Sequence, residues 1–138
     1  MPERRRPAQT ILAFDPGQHR IGVAVADRLV GTGRPLEVLK AHHGQPDWEG
    51  VRRLLEAWEP DALVVGVPRH ADGSASASTE AAQRFARRLH GRFGMPVHEV
   101  DERLSSWEAR QRTASPEAPV DDAAASVIAE TWLREEAS

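Results

Sequence analysis

Apolar and polar positions follow two rhythms along this chain. Thr10-Ile-Leu-Ala-Phe-Asp15 is a short apolar run that ends on a carboxylate, and Pro16-Gly17 turns the chain at once. Arg20-Ile-Gly-Val-Ala-Val-Ala-Asp27 is a second apolar run that closes on another acid. Two such runs around a Pro-Gly turn predict a β-hairpin whose first strand, residues 10–15, delivers Asp15 to the mouth of the turn. Gly31-Thr-Gly-Arg-Pro-Leu-Glu-Val-Leu39 predicts a third strand, which makes an antiparallel meander. His42 and His43 fall in the segment that follows, 41–46. Adjacent histidines point apart in regular structure and lack the i, i+4 spacing of a helical metal pair, so this segment reads as a loop.

The rhythm then changes. Trp48, Val51, Leu54, Leu55 and Trp58 recur at helical spacing, with Asp47 as N-cap and Pro60 as stop. Ala62-Leu-Val-Val-Gly-Val67 has no polar alternation and fits a central strand buried on both faces. A turn-rich loop, 69–76, precedes a helix over 77–90 with Ala82, Phe85, Ala86 and Leu89 as its buried stripe and Gly91 at C′. Met95–Glu102 reads as another strand. Strand, helix and strand in that order predict a βαβ unit with a right-handed crossover. Ser105 or Ser106 caps a short helix to Arg112, residues 113–119 form a loop, and a last helix runs from Asp121 to about Arg134 on Ala124, Ala125, Ile128 and Trp132. The expected fold is therefore α/β, a mixed five-stranded sheet (an antiparallel three-strand meander plus parallel strands) flanked by helices. Residues 1–9 read as a flexible tail and 10–138 as one domain.

Composition narrows the chemistry. The 138 residues contain no cysteine, which excludes thiol catalysis, disulfides and cysteine zinc sites. Net charge is −3, and Lys40 is the only lysine among 18 cations. Arginine suits bidentate phosphate contacts, and a slightly acidic protein binds a phosphate backbone through a local basic face. No apolar run has the length of a membrane span, and the N-terminal stretch lacks the apolar segment of a signal peptide. A cytoplasmic protein is expected.

The carboxylates stand out by position. Asp15 ends the first strand, Asp101 and Glu102 end the last, and Asp121 and Asp122 open the final helix. Strand ends in a parallel sheet collect site residues. Three acids brought together bind one or two hard cations, Mg²⁺ or Mn²⁺, and water is then activated without a side-chain nucleophile. Each acid also has a structural alternative: an Asx turn at Asp15, an N-cap at Asp121, an ion pair with Arg103 at Asp101 or Glu102. Neighbouring strand residues face opposite sides, so only one of Asp101 and Glu102 points into such a site. Glu102 shares the more apolar face, with Val100.

Four blocks in order resemble the YqgF (RuvX) family of the RNase H-like superfamily: Phe14-Asp-Pro-Gly17 with Arg20–Asp27; Val64-Val-Gly-Val-Pro68 with Asp72-Gly-Ser74; Val100-Asp-Glu-Arg-Leu-Ser-Ser106; and Val120-Asp-Asp-Ala-Ala-Ala125 leading to Trp132-Leu133. The resemblance spans about residues 10–135. It implies a metal-dependent nuclease with Asp15, Glu102 and Asp121 as catalytic acids and ligands of Mg²⁺ or Mn²⁺, and Asp101 as an alternative ligand. It implies Arg20, Arg103 and the loop Asp72, Gly73 and Ser74 as substrate-binding residues. The family is implicated in trimming the precursor of 16S ribosomal RNA, and is similar in fold to Holliday-junction resolvases. Structured RNA is thus the expected partner, with branched DNA as the alternative and either a monomer or a homodimer as the working form. Ser105 and Ser106 stand where the family usually has Thr, and His70 stands near the place of a family Asn.

Two other classes compete. The Asp-x-Gly hairpin also occurs as the phosphate-binding hairpin of actin-like ATPases, but those folds close two domains over a nucleotide and this chain has length for one. The fold would also serve as a non-catalytic RNA or ribosome-assembly binding module.

Overall fold

The computed structural model describes residues 10–104 and 120–137, with side chains from 10–104 and 123–136. The elements are β1 (Thr10–Asp15), β2 (Arg20–Asp27), β3 (Gly33–His42), β4 (Gln45–Pro46), α1 (Trp48–Trp58), β5 (Ala62–Val67), α2 (Ala77–Phe93), β6 (Val97–Asp101), a 3₁₀ turn (Glu102–Leu104) and α3 (Val120–Ala137). The strands form one sheet in the order β4-β3-β2-β1-β5-β6. β1, β2, β3 and β4 pair antiparallel in sequence, whereas β5 lies parallel to both β1 and β6. The α/β class and the mixed sheet agree with the sequence. The expected tail 1–9, the short helix from Ser105 or Ser106, and the loop 113–119 lie outside the described residues.

Three boundaries differ from expectation. The sheet has six strands rather than five, because 41–46 is not a loop. β3 continues to His42, and the chain reverses through His43 (φ 52°) and Gly44 (φ 81°) into β4, pairing His42 with Gln45. Two successive positive φ values are the requirement of a tight hairpin turn, and His-Gly meets it less conspicuously than Asn-Gly. α2 runs through Gly91 to Phe93 and ends at Gly94, whose φ is 68°. Phe93 and Met95 both pack against the core, so a further turn of helix is stabilised despite Gly91. β6 stops at Asp101, and Glu102 opens the 3₁₀ turn. The backbone N–H of Arg103 donates to Asp101 Oδ1 at 2.9 Å, and this local bond bends the chain out of the strand.

The N-cap expected at Asp47 is present, and α2 has a capping box that was not expected. Asp47 accepts from the Glu49 backbone N–H at the start of α1, and Ser76 and Thr79 form a capping box on α2. Thr79 also donates its hydroxyl to the Pro68 carbonyl, which ties the start of α2 to the end of β5.

Alternation in the strands sorts the core into two layers. Leu12, Phe14, Ile21, Val23, Leu63 and Val65 face α1 and α2, where they meet Val51, Leu54, Phe85 and Leu89. Ile11, Ala13, Ala26, Ala62, Val64 and Val100 face α3, where they meet Ile128, Ala129, Trp132 and Leu133. α3 crosses β1, β2 and β3 and is buried on almost every side from Ala123 to Leu133. Its polar residues are therefore paired: Glu130 Oε2 accepts from the Gly33 N–H at 2.6 Å, and Thr131 donates to the Val127 carbonyl at 2.7 Å.

Candidate active site

Asp15 is the last residue of β1 and is paired in register with Gly22 of β2. Ile11 and Ala13 belong to the layer beneath α3. The same alternation directs the half-buried Asp15 side chain toward that face, at the C-terminal end of the strand.

At the end of β6 two neighbouring acids part company. Val97 packs with the α2-side core, so Asp101, four residues on, faces that side. Its carboxylate is engaged by Arg103: Nε donates to Oδ1 and Oδ2 at 3.1 and 3.0 Å, and Nη2 donates to Oδ2 at 2.6 Å. These charge-assisted bonds hold the Asp101 carboxyl below the usual carboxylate range, more than partial burial raises it, and push the Arg103 guanidinium up. Glu102 leaves the strand yet stays on the α3 face. A Cβ placed on Gly66 would overlap Ile128 Cδ1 and lie 3.1 Å from Glu102 Cγ. The missing side chain at Gly66 is what lets Glu102 lie across β5 beside Ile128.

Arg103 also donates from Nη1 to the Ala71 carbonyl at 3.3 Å and packs on Gly73, which fastens the loop after β5 to the end of β6. Inside that loop Asp72 Oδ1 accepts from the Ser74 backbone N–H at 2.9 Å and from its hydroxyl at 2.6 Å. The Ser74 bonds lower the Asp72 carboxyl below its ordinary value. Asp72, Gly73, Ser74 and Arg103 thus form one assembly on the Asp101 side. Arg20 opens β2 opposite Lys40 and is exposed.

The course of α3 brings in the third acid. Ile128 lies at Gly66, near the C-terminal end of β5, and the Trp132 ring is 4.9 Å from that of His98, near the start of β6. The helix therefore runs back from the strand ends, and its first turn belongs at the end where β1 and β6 finish. Asp121 is in that turn, about 10 Å along the axis from Ile128. The Asp121 and Asp122 side chains lie outside the described residues. Among the described residues no three His, Asp or Glu side chains form a metal-binding group. Asp15 and Glu102 share one face at one end of the sheet, with the opening turn of α3 above the same face.

His98 packs on Trp132, and His70 is exposed in the loop. Gly66 was missed by sequence reasoning. Its signals were a glycine inside an otherwise Val-rich buried strand and its place in the Val64-Val-Gly-Val-Pro68 block.

The sequence profile of the RuvX family, described as Holliday junction resolvase, matches residues 9–135. This chain belongs to the RuvX family. A protein from Azotobacter vinelandii named "Putative pre-16S rRNA nuclease" is 50% identical over 132 residues, covering 91% of this chain and 93% of that protein. One of the same name from Alcanivorax borkumensis is 52% identical over 125 residues, covering 89% and 94%. Among solved structures, Thermus thermophilus RuvC in complex with a Holliday junction substrate superposes with a TM-score of 0.57 at 21% identity, covering 94% of this chain and 96% of that one. The yeast mitochondrial Holliday junction resolvase Ydc2 gives 0.56 at 12% identity, covering 92% and 78%. At these identities the two structures establish the RNase H-like resolvase fold of this RuvX chain. No helix among the described residues is long and apolar enough to cross a membrane.

Proposed function

We propose that this RuvX protein is a metal-dependent endonuclease that hydrolyses phosphodiesters in structured RNA, with the precursor of 16S ribosomal RNA as its substrate. The observation that carries the reading is the separation of Asp101 from Glu102: one acid is consumed by Arg103, while the other joins Asp15 on the α3 face. The names of the close relatives point to the same substrate, which would be met in the cytoplasm.

The donor chemistry fits a hard divalent cation. Asp15, Glu102 and Asp121 offer carboxylate oxygens, the preferred ligands of Mg²⁺ and Mn²⁺, and Gly66 leaves Glu102 room to reach over β5. When bound, such an ion supplies charge neutralisation at the phosphoryl oxygens and acidifies water. Pro16 and Gly17 turn the chain away from Asp15, which keeps the strand end open to a backbone phosphate. Arg20, at the foot of β2, contacts the substrate backbone without reading bases. Arg103 holds the Asp72-Gly73-Ser74 loop against β6, and this assembly forms the rim over which the substrate passes. Asp101 serves as the anchor of Arg103 rather than as a ligand.

The family description and the RuvC-like fold favour one second reading, resolution of four-way DNA junctions. That reaction needs two copies cutting in register. Offering a 3′-extended RNA hairpin and a four-way DNA junction to the full chain with Mn²⁺ separates the readings. RNA cleavage that disappears in Asp15→Asn is the expected result. Cleavage of the junction alone would favour resolution, and binding of RNA without cleavage of either would leave a binding module.

A further inference from the structure

A groove of about 100 Å³ lies on the opposite side of the Pro16-Gly17 turn from the Asp15 carboxylate. Three elements wall it: the β1–β2 turn, the β3–β4 turn, and residues 78–88 of α2. The two turns are joined, since the Gly44 N–H donates to the Gln18 carbonyl at 3.0 Å. α2 is held against the sheet by Phe85, whose ring meets that of Phe14 edge-on at 5.6 Å. The walls are therefore fixed by backbone pairing and core packing before any ligand arrives.

The lining is cationic and polar. Arg84 and Arg88 stand one helical turn apart on the same face of α2 and are both exposed. Gln18, His43 and Ser78 add side chains able to donate hydrogen bonds. No described residue in the lining is acidic. Several other described arginines are engaged: Arg103 by Asp101, Arg52 beside Glu49, Arg92 over the Trp48 ring. Neither Arg84 nor Arg88 has a hydrogen bond or ion pair to a described residue. Two exposed guanidiniums at fixed spacing over a donor-rich floor match consecutive phosphates of a nucleic-acid strand.

We propose that this groove binds the phosphodiester backbone of the substrate strand next to the cleaved bond, with Arg84 and Arg88 as its phosphate contacts. The inference rests on the nuclease reading, because Pro16, which lines the groove, directly follows Asp15 in the chain. A strand crossing that turn places one phosphate at Asp15 and its neighbours in the groove. Arg84 and Arg88 are binding residues and act on affinity rather than on the chemical step.

The test is a salt titration of binding by the full chain, without divalent cations so that nothing is cut. The probe is a fluorescein-labelled RNA hairpin with a single-stranded 3′ extension. Arg84→Gln with Arg88→Gln is expected to weaken binding by about tenfold at 0.1 M salt, and to make the slope of log K against log salt shallower by about 1.4, the value for two lost contacts to a single strand. Arg52→Gln with Arg53→Gln on α1 is the control and should match wild type. With saturating RNA and Mn²⁺, the α2 variant should keep its kcat and show a raised KM. Wild-type affinity and slope in the α2 variant would overturn the groove while leaving the nuclease reading intact, provided that Asp15→Asn still abolishes cleavage. A wild-type protein that does not bind the RNA would overturn both.

Discussion

On the α1/α2 face of the sheet, Phe14, Phe85 and Trp48 build an aromatic core, with Phe85 at 5.6 Å from Phe14 and stacked at 5.7 Å on Trp48. On the other face the sheet presents Ala13, Ala26, Ala62 and Gly66, and α3 answers with Ala125 and Ala129. Large rings hold helices at a distance and fill the gap with apolar area. Small residues let α3 settle close, and the space saved at Gly66 goes to a carboxylate. The two faces also treat acids differently where β6 ends. On the α2 side Asp101 is neutralised by Arg103 and serves to fasten a loop. Glu102 and Asp15 instead both lie on the α3 side. A strand end is thus no guarantee of a site. At the other end of the sheet Asp27 accepts from the Leu29 N–H at 2.8 Å and Asp61 from the Thr10 N–H at 3.1 Å, both as turn and strand anchors.

The sharpest disruption of the aromatic face is Phe85→Ala. Losing the ring between Phe14 and Trp48 should cost about 3–5 kcal/mol in chemical denaturation, with the kcat of the remaining folded molecules little changed. On the small-residue face Gly66→Ala should cost less, roughly 1–3 kcal/mol for overpacking. It should lower activity out of proportion, because the added methyl displaces Glu102 as well as Ile128. Equal loss of stability and activity in both variants would erase the distinction between the faces.

Smaller still is Asp101→Asn, at about 1 kcal/mol or less for a partly exposed ion pair. Its pH dependence has a definite sign. Arg103 depresses the folded-state pKa of Asp101 below the unfolded value of about 3.9. The contribution is therefore fully present above that value and is lost as pH falls toward the depressed one. Denaturation profiles of wild type and Asp101→Asn should differ at neutral pH and converge in acid. Profiles that stay parallel down to pH 2 would show that the pair does not act this way.

Local sequence was enough for the hairpin, the buried strand β5 and both ends of α1, because Pro16-Gly17, the Val-rich run, and Asp47 and Pro60 each act locally. It could not find β4, whose two residues carry no pattern and depend on the His43-Gly44 turn. It ended α2 at Gly91, since the packing of Phe93 and Met95 that extends the helix is tertiary. At the site, alternation put Asp101 and Glu102 on opposite faces and the company of Val100 favoured Glu102 facing inward, but neither told what lay on each face. That required knowing that Val97 meets the α2-side core and that Gly66 opens room above β5. The pairing of Arg103 with Asp101, two residues apart, was foreseen as one alternative, whereas its bond to the Ala71 carbonyl joins residues 32 apart and left no local signal.

The central claim is that Glu102 belongs to the catalytic face and Asp101 does not. Its most direct test is the initial rate of Mn²⁺-supported cleavage of a 3′-extended RNA hairpin by Glu102→Gln and Asp101→Asn, side by side with wild type. Glu102→Gln should lose at least about 10²-fold, more than the removal of an outer partner costs, while Asp101→Asn stays within about tenfold of wild type. The reverse order, with Asp101→Asn inactive and Glu102→Gln cutting normally, would contradict it.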